Sequence, residues 1–420
     1  MSLIVGVSYA IIENGNRGGS KHDGDQRWAL RRPAGAAMTL ALDGVRVVDL
    51  SQVMAGPFCT MLLGDLGADV IKVEPPEGDL SRRMGGAQLR MRGEDHAPFL
   101  ALNRNKRSIV LDLHVEEERN RLLELAATAD IMVESFRPGV VGRFGVDYDA
   151  VSRFNPGIIY ASISGFGQTG PYADRPGFDL IAQGMAGVLS VTGEPDGAPV
   201  KCGVPISDLA AGLYAANGIL AALIARARTG RGQYIDTSLF EAALGLSVWE
   251  ATEYWATGET PRACGSAHRL NAPYQALRTA DGHMTVAALT QRQWAKLCEV
   301  LNCTGLVDDE RFATNAARMA NRAALVEALE AVLATGTTAS WVERLLARGV
   351  PAGPIHDYRE VFDDAHTRAR NMIEEMDHPV EGRVRTLGFP LKMSGTPLRV
   401  RRPPPLLGEH RAEVLDQLAT

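Results

Sequence analysis

Asp208 stands immediately before the long apolar stretch 209–227, an Ala- and Gly-rich run with Asn217 near its middle. Such a length raises the question of a membrane span, but the small residues and the central amide read as a buried core helix. Its ends agree: Ser207 and Asp208 lie where an N-cap belongs, and Arg226 and Arg228 lie where a helix dipole favours cations. A carboxylate at a helix N-terminus is favoured in its ionised form, which is also the form a carboxylate nucleophile needs. Cap and nucleophile therefore both stay open for Asp208. Asp179, after Gly177 and Phe178, reads as the structural cap of a helix running to Ser190.

Other patterns carry less chemistry. Gly165-Phe166-Gly167-Gln168-Thr169-Gly170 has the glycine spacing of a dinucleotide loop. That loop must open a helix whose N-terminus meets the pyrophosphate, whereas here Pro171 and Pro176 follow, so the segment reads as a turn. Between Arg82 and Arg107 lie Arg82, Arg83, Arg90, Arg92, Arg104, Lys106 and Arg107 against only Glu94 and Asp95. A polyanionic ligand or a solvated loop would each account for them. Asn103-Arg104-Asn105-Lys106-Arg107, just before a strand, offers clustered donors suited to phosphate oxygens. The nine histidines are scattered, with no pair at helical spacing beside a carboxylate, so no metal site is expected. There is no G-x-S-x-G elbow and no G-x-x-x-x-G-K-[ST] phosphate loop.

The elements around these residues alternate. Strands are expected at 45–50, 69–73, 109–113, 131–134 and 158–162, with helices at 57–66 and 116–127 and a short helical piece from Tyr148. The alternation argues an α/β fold with a parallel, doubly wound sheet. After the long helix come a turn at 230–233, a strand at 234–238, a helical run at 239–257 and a loop at 258–272. A strand at 284–288 and helices at 294–301, 322–333 and 339–347 suggest a smaller α+β unit, and the tail from Gly349 is extended and marked by prolines. The resulting division is an N-terminal extension at 1–37, rich in Gly and charge and expected to be disordered, then the first part of a large domain at 38–240. A linker helix at 241–264, a small domain at 265–348 and a return segment at 349–420 completing the large domain follow.

Composition narrows the function. In 420 residues, 45% are hydrophobic and 22% charged, and 44 Lys and Arg against 50 Asp and Glu give a net charge of −6. These are values for a folded chain working on small molecules, and neither nucleic acid nor membrane is expected as a partner. The five cysteines form no C-x-x-C pair, which fits a reducing cytoplasm, and no signal peptide is read at the N-terminus.

Leu42-Asp43-Gly44-Val45-Arg46-Val47-Val48-Asp49-Leu50, then Ala55-Gly56-Pro57, then Leu66-Gly67-Ala68-Asp69-Val70-Ile71-Lys72-Val73-Glu74, resembles the opening of the class III CoA-transferases. That family includes formyl-CoA transferase and alpha-methylacyl-CoA racemase. Asn105-Lys106-Arg107-Ser108, Ser164-Gly165-Phe166-Gly167, Thr229-Gly230-Arg231-Gly232-Gln233, Gly353-Pro354 and Leu406-Leu407-Gly408-Glu409-His410 extend the likeness over nearly everything from Met38 onward. The resemblance implies a Rossmann-like large domain built from both chain ends, a small inserted domain, and an interlocked homodimer. It implies acyl-CoA and carboxylic acid substrates and no permanently bound cofactor. It places the transferase nucleophile on Asp208, where a mixed anhydride and then an aspartyl-CoA thioester would form. It also places a lid loop of backbone donors on Gly265, Ser266, Ala267 and His268, and CoA contacts on Val53, Ala55, Leu111, Phe136 and Arg143. Charge adds Lys106 and Arg107 as phosphate ligands.

The sequence also departs from that pattern. Formyl-CoA transferase has a glycine run in the lid, whereas here only Gly265 is followed by Ser266-Ala267-His268. This argues against formate or oxalate and makes His268 a candidate to meet a carboxylated acyl group, as in succinyl-CoA-dependent transferases. Met54 replaces a glutamine beside the thioester. The racemase branch pairs a histidine with the aspartate, and that position is Phe178 here, while the racemase glutamate falls on Gln291. Transferase is therefore the reading, with racemase or a non-catalytic acyl-CoA-binding relative as the alternatives.

Overall fold

The computed structural model describes residues 40–418, so the expected leader at 1–37 lies outside the described residues. Six parallel strands form the main sheet: β1 (Arg46–Asp49), β2 (Asp69–Glu74), β3 (Lys106–Val110), β4 (Ile131–Glu134), β5 (Ile159–Ser164) and β6 (Tyr234–Ser238). Their order is β3-β2-β1-β4-β5-β6, with pairing such as Val48 on Ile71 and Met132 on Tyr160. Chain direction across the sheet reverses between β1 and β4, and in open α/β sheets ligands gather outside the carboxyl ends of the strands at that point.

Alternating side chains divide the core in two. Val47, Val70, Val133 and Ala161 meet the helices Ala55–Asp65 and Ile206–Thr229 on one face. Val48, Ile71, Met132 and Tyr160 meet the helix Glu116–Thr128 on the other. A Cβ on Gly212 would stand 2.7 Å from the carbonyl oxygen of Ala55. Only glycine therefore lets the long helix lie this close to the first turn of Ala55–Asp65. The segment read as a turn at 165–170 is bent, irregular backbone leading into a turn at 171–174, and the next helix opens only at Asp179.

Several expected elements moved. β3 begins at Lys106 rather than Ile109, because its two basic residues are buried in ion pairs and behave as strand residues. The run 239–257 is two helices, Leu239–Leu246 and Val248–Thr257, broken at Ser247. A second sheet joins β7 (Tyr274–Arg278), β8 (His283–Ala287) and β9 (Ala352–Pro354), packed on the helices Gln291–Val300, Arg322–Leu333 and Thr338–Ala347. The tail is not uniformly extended, since β10 (Ile373–His378) and β11 (Gly382–Leu387) form an antiparallel hairpin. Further on it runs along β3: Asn105 N–H donates to Arg402 O (3.0 Å) and His410 N–H to Ser108 O (2.9 Å).

Candidate active site

Asp208 lies in the first turn of Ile206–Thr229, whose N-cap is Pro205, so Asp208 does not cap its helix as the sequence suggested. The hydrogen bond to the helix head comes from elsewhere: Ser207 N–H donates to Asp179 Oδ1 at 2.9 Å. Gln183 Nε2 donates to the other Asp179 oxygen (2.7 Å), and Gln183 Oε1 accepts from Cys202 N–H (2.9 Å), which fixes the approach to Asp208. Asp179 was read as the cap of its own helix, but Phe178 holds that position. Four residues separate Asp208 from Gly212, one turn of the same face. Asp208 therefore lies level with the turn that precedes Ala55–Asp65.

Burial, and secondarily the negative charge of Asp179, push the Asp208 carboxyl up to about 7. If Asp208 reacts as the carboxylate, kcat/KM climbs with an acid limb near pH 7. Asp179→Asn keeps an acceptor for Ser207 N–H and removes the charge, so the acid limb is expected roughly one pH unit lower. A pH–rate profile of both proteins measures this, and superimposable acid limbs would contradict it.

The loop expected to act as a lid sits against the segment that leads to Asp208. Gly265 is left-handed at φ +59°, its N–H donates to Gly193 O at 2.8 Å, and a Cβ there would approach Glu194 Oε2 to 2.9 Å. Ser266 Oγ accepts from Ala276 N–H (3.1 Å), and Ala267 N–H donates to Cys264 O (3.0 Å). His268 stacks on Tyr274 with ring centroids 4.7 Å apart and meets Trp249 edge-on. Its Nδ1 accepts from Leu270 N–H at 3.0 Å, which leaves Nε2 as the protonated, donating nitrogen.

The expected CoA contacts fall into two groups. Val53 and Ala55 form the turn after β1 and the start of Ala55–Asp65. Val53 is held at φ 70°, a left-handed conformation that costs a β-branched residue about 1–3 kcal/mol. Leu111 and Phe136 line a cavity of about 210 Å³ together with Leu50, Gln52, His114 and Phe144, outside the carboxyl ends of β1 to β4. Exposed Arg143 ends a short helix beside Phe144.

Lys106 and Arg107 are corrected by the structure. Lys106 is fully buried, with Nζ 3.0 Å from Asp49 Oδ2 and further bonds to Pro57 O and Asn103 Oδ1. Burial opposes ionisation of Asp49, yet Lys106 and Lys72, with Ser51 and Thr60, pull its carboxyl down to about 2. For Lys106 burial prevails and lowers the ammonium to about 8. Arg107 lies at the amino end of β3, paired to Asp69 and Glu413. Arg82 grips Glu74 through two nitrogens (2.7 Å each) and lies over the Phe99 ring, and Arg104 grips Asp65. Four of the seven cations in this run are thus consumed internally, which charge counting could not reveal. Sequence reasoning also missed Asp79 and Ser135, whose side chains hold the backbone after β1 and which no motif marks.

Comparison with known proteins shows which family the chain belongs to. Residues 42–411 match CoA-transferase family III. The succinate–glutarate CoA-transferase of Agrobacterium fabrum is 42% identical over 90% of this chain and 96% of its own. The acetyl-CoA:oxalate CoA-transferase of Acetobacter aceti is 40% identical over 90% and 95%. The crystal structure of a CAIB/BAIF family protein from Brucella suis superposes with a TM-score of 0.81, at 42% identity over 90% of this chain and 99% of that one. The chain belongs to CoA-transferase family III and is a CoA-transferase.

Proposed function

We propose that the enzyme moves CoA from a dicarboxylic acyl-CoA such as succinyl-CoA to a carboxylic acid acceptor, with Asp208 as nucleophile. The observation that carries this reading is the placement of Asp208: partly buried at the head of the long helix, level with the turn after β1. A carboxylate oxygen of Asp208 attacks the thioester carbon, the C–S bond breaks, and CoA leaves as thiolate, giving a mixed anhydride between Asp208 and the acyl group. The thiolate then attacks the Asp208 carbonyl and expels the donor acid, giving the aspartyl-CoA thioester. The acceptor carboxylate attacks that thioester, and returning thiolate takes the acceptor's acyl group and frees Asp208. Backbone N–H groups of the lid stabilise the oxyanions and keep water out. Phe178, 69% exposed where the racemase branch has its histidine, supplies no second base.

An interlocked homodimer fits the surface. The helix Ile206–Thr229 buries its Ala and Gly face but leaves Leu213, Tyr214 and Ile224 exposed, and Trp255, in the helix Val248–Thr257, is 78% exposed. A second copy would cover them.

The test is to quench the enzyme with succinyl-, acetyl-, formyl-, oxalyl- and cinnamoyl-CoA and analyse its peptides by mass spectrometry. A CoA or acyl adduct on the peptide carrying Asp208 is expected with succinyl-CoA. No adduct with any donor, together with α-proton exchange into deuterated solvent, would sink the proposal in favour of racemisation.

A further inference from the structure

The turn after β1 is gripped from both sides. Asp79 follows β2 and Ser135 follows β4, the two strands that flank β1 in the sheet. Gln52 N–H donates to Ser135 Oγ at 3.0 Å, and Val53 N–H donates to Asp79 Oδ1 at 3.2 Å. Ser51 N–H is taken by Asp49 Oδ1 (3.0 Å), and Ser51 O accepts from Lys72 Nζ (2.9 Å). Asp79 itself cannot swing away. Its second oxygen lies 2.7 Å from Lys72 Nζ, its first also accepts from Ser81 N–H and Oγ, and both Asp79 and Lys72 are fully buried. The left-handed Val53 thus persists because side chains from three strands determine it, and strain of this kind gathers where a backbone must meet a ligand. Gln52, in the same turn, lines the cavity that holds Leu111 and Phe136.

We propose that Asp79 and Ser135 are positioning residues for coenzyme A, holding the Gln52–Val53 turn in the conformation that presents Val53 and the start of Ala55–Asp65 to the thioester. The proposal rests on the transferase reading for where CoA lies. Neither residue touches the substrate. Each acts through the backbone, so its loss weakens CoA binding and raises KM for succinyl-CoA more than it lowers kcat.

Calorimetry with free CoA on the full-length protein tests this independently of turnover. Asp79→Ala is expected to raise the Kd at least tenfold, and the same substitution in a Val53→Gly background less than twofold, because glycine takes a positive φ without help. Ser135→Ala leaves every buried ion pair intact and keeps the proposal testable if Asp79→Ala does not fold. It is expected to raise the Kd about fivefold, and Ser135→Thr, which keeps the hydroxyl, is expected to restore it to within twofold. An equal penalty from Asp79→Ala in both backgrounds, or no difference between Ser135→Ala and Ser135→Thr, overturns the proposal. Binding without such coupling overturns this inference alone, whereas a wild-type protein that binds no CoA overturns the placement of CoA as well.

Discussion

Asp208→Asn is expected to lower kcat by a factor on the order of 10³ or more while leaving the Kd for CoA within a few fold. The amide is nearly isosteric and keeps the helix head intact, because Asp179 rather than Asp208 binds the Ser207 N–H. What it loses is the anionic oxygen that attacks the thioester, and no neighbouring group replaces it. Asp179 is the charge that acts on Asp208, but both its oxygens are already engaged, by Ser207 N–H and by Gln183 Nε2. Steady-state rates with succinyl-CoA and calorimetry with CoA read the two effects separately. Retained turnover in Asp208→Asn would remove covalent catalysis from this site. Equal losses of rate and CoA affinity would make Asp208 a binding group.

The second large effect concerns stability. Lys106→Met is expected to destabilise the fold by about 3–5 kcal/mol at pH 7, because it leaves the fully buried Asp49 carboxylate with Lys72 as its remaining cation, beside the Ser51 and Thr60 hydroxyls. The pH dependence has a definite sign. In the wild-type protein the depressed Asp49 pKa contributes stability that is present above the ordinary aspartate value near 3.8 and is lost as pH falls toward 2. Without Lys106 that contribution disappears, and protonating Asp49 relieves the stranded charge. The gap between variant and wild type should therefore shrink on acidification from pH 7 to pH 4. Denaturant unfolding at the two pH values checks it. A Lys106 devoted to a CoA phosphate would behave oppositely, with stability unchanged and a salt-dependent loss of CoA affinity.

That contrast marks what the sequence could and could not disclose. The strands from β1 to β6 were legible because buried apolar runs alternate with amphipathic helices, and the parallel sheet followed from the alternation. The hairpin of β10 and β11 was not, since its few buried apolar residues, Met376 and Val384, are interleaved with exposed charges such as Glu375 and Arg383. At the site, Asp208 and the lid stood out through their likeness to a family. Lys106 and Arg107 misled because charge along a chain says nothing about which carboxylates fold back onto it. Asp79 and Ser135 stayed hidden for a related reason. They act on backbone N–H groups of a distant turn, and no spacing in the sequence encodes that meeting.

The path of the chain end along β3 also bears on how the protein is made. Ser108 receives the N–H of His410, and Val414 is buried in the core face that includes Ile109 and Leu122. During synthesis β3 emerges about three hundred residues before the segment that covers it. Until residues 402–414 have emerged, one border of the parallel sheet has its hydrogen-bonding groups open to any other strand, and the core beneath it lacks a wall. The six strands of the main sheet are thus complete in sequence long before the sheet can close. That border closes only when the segment 402–414 reaches it.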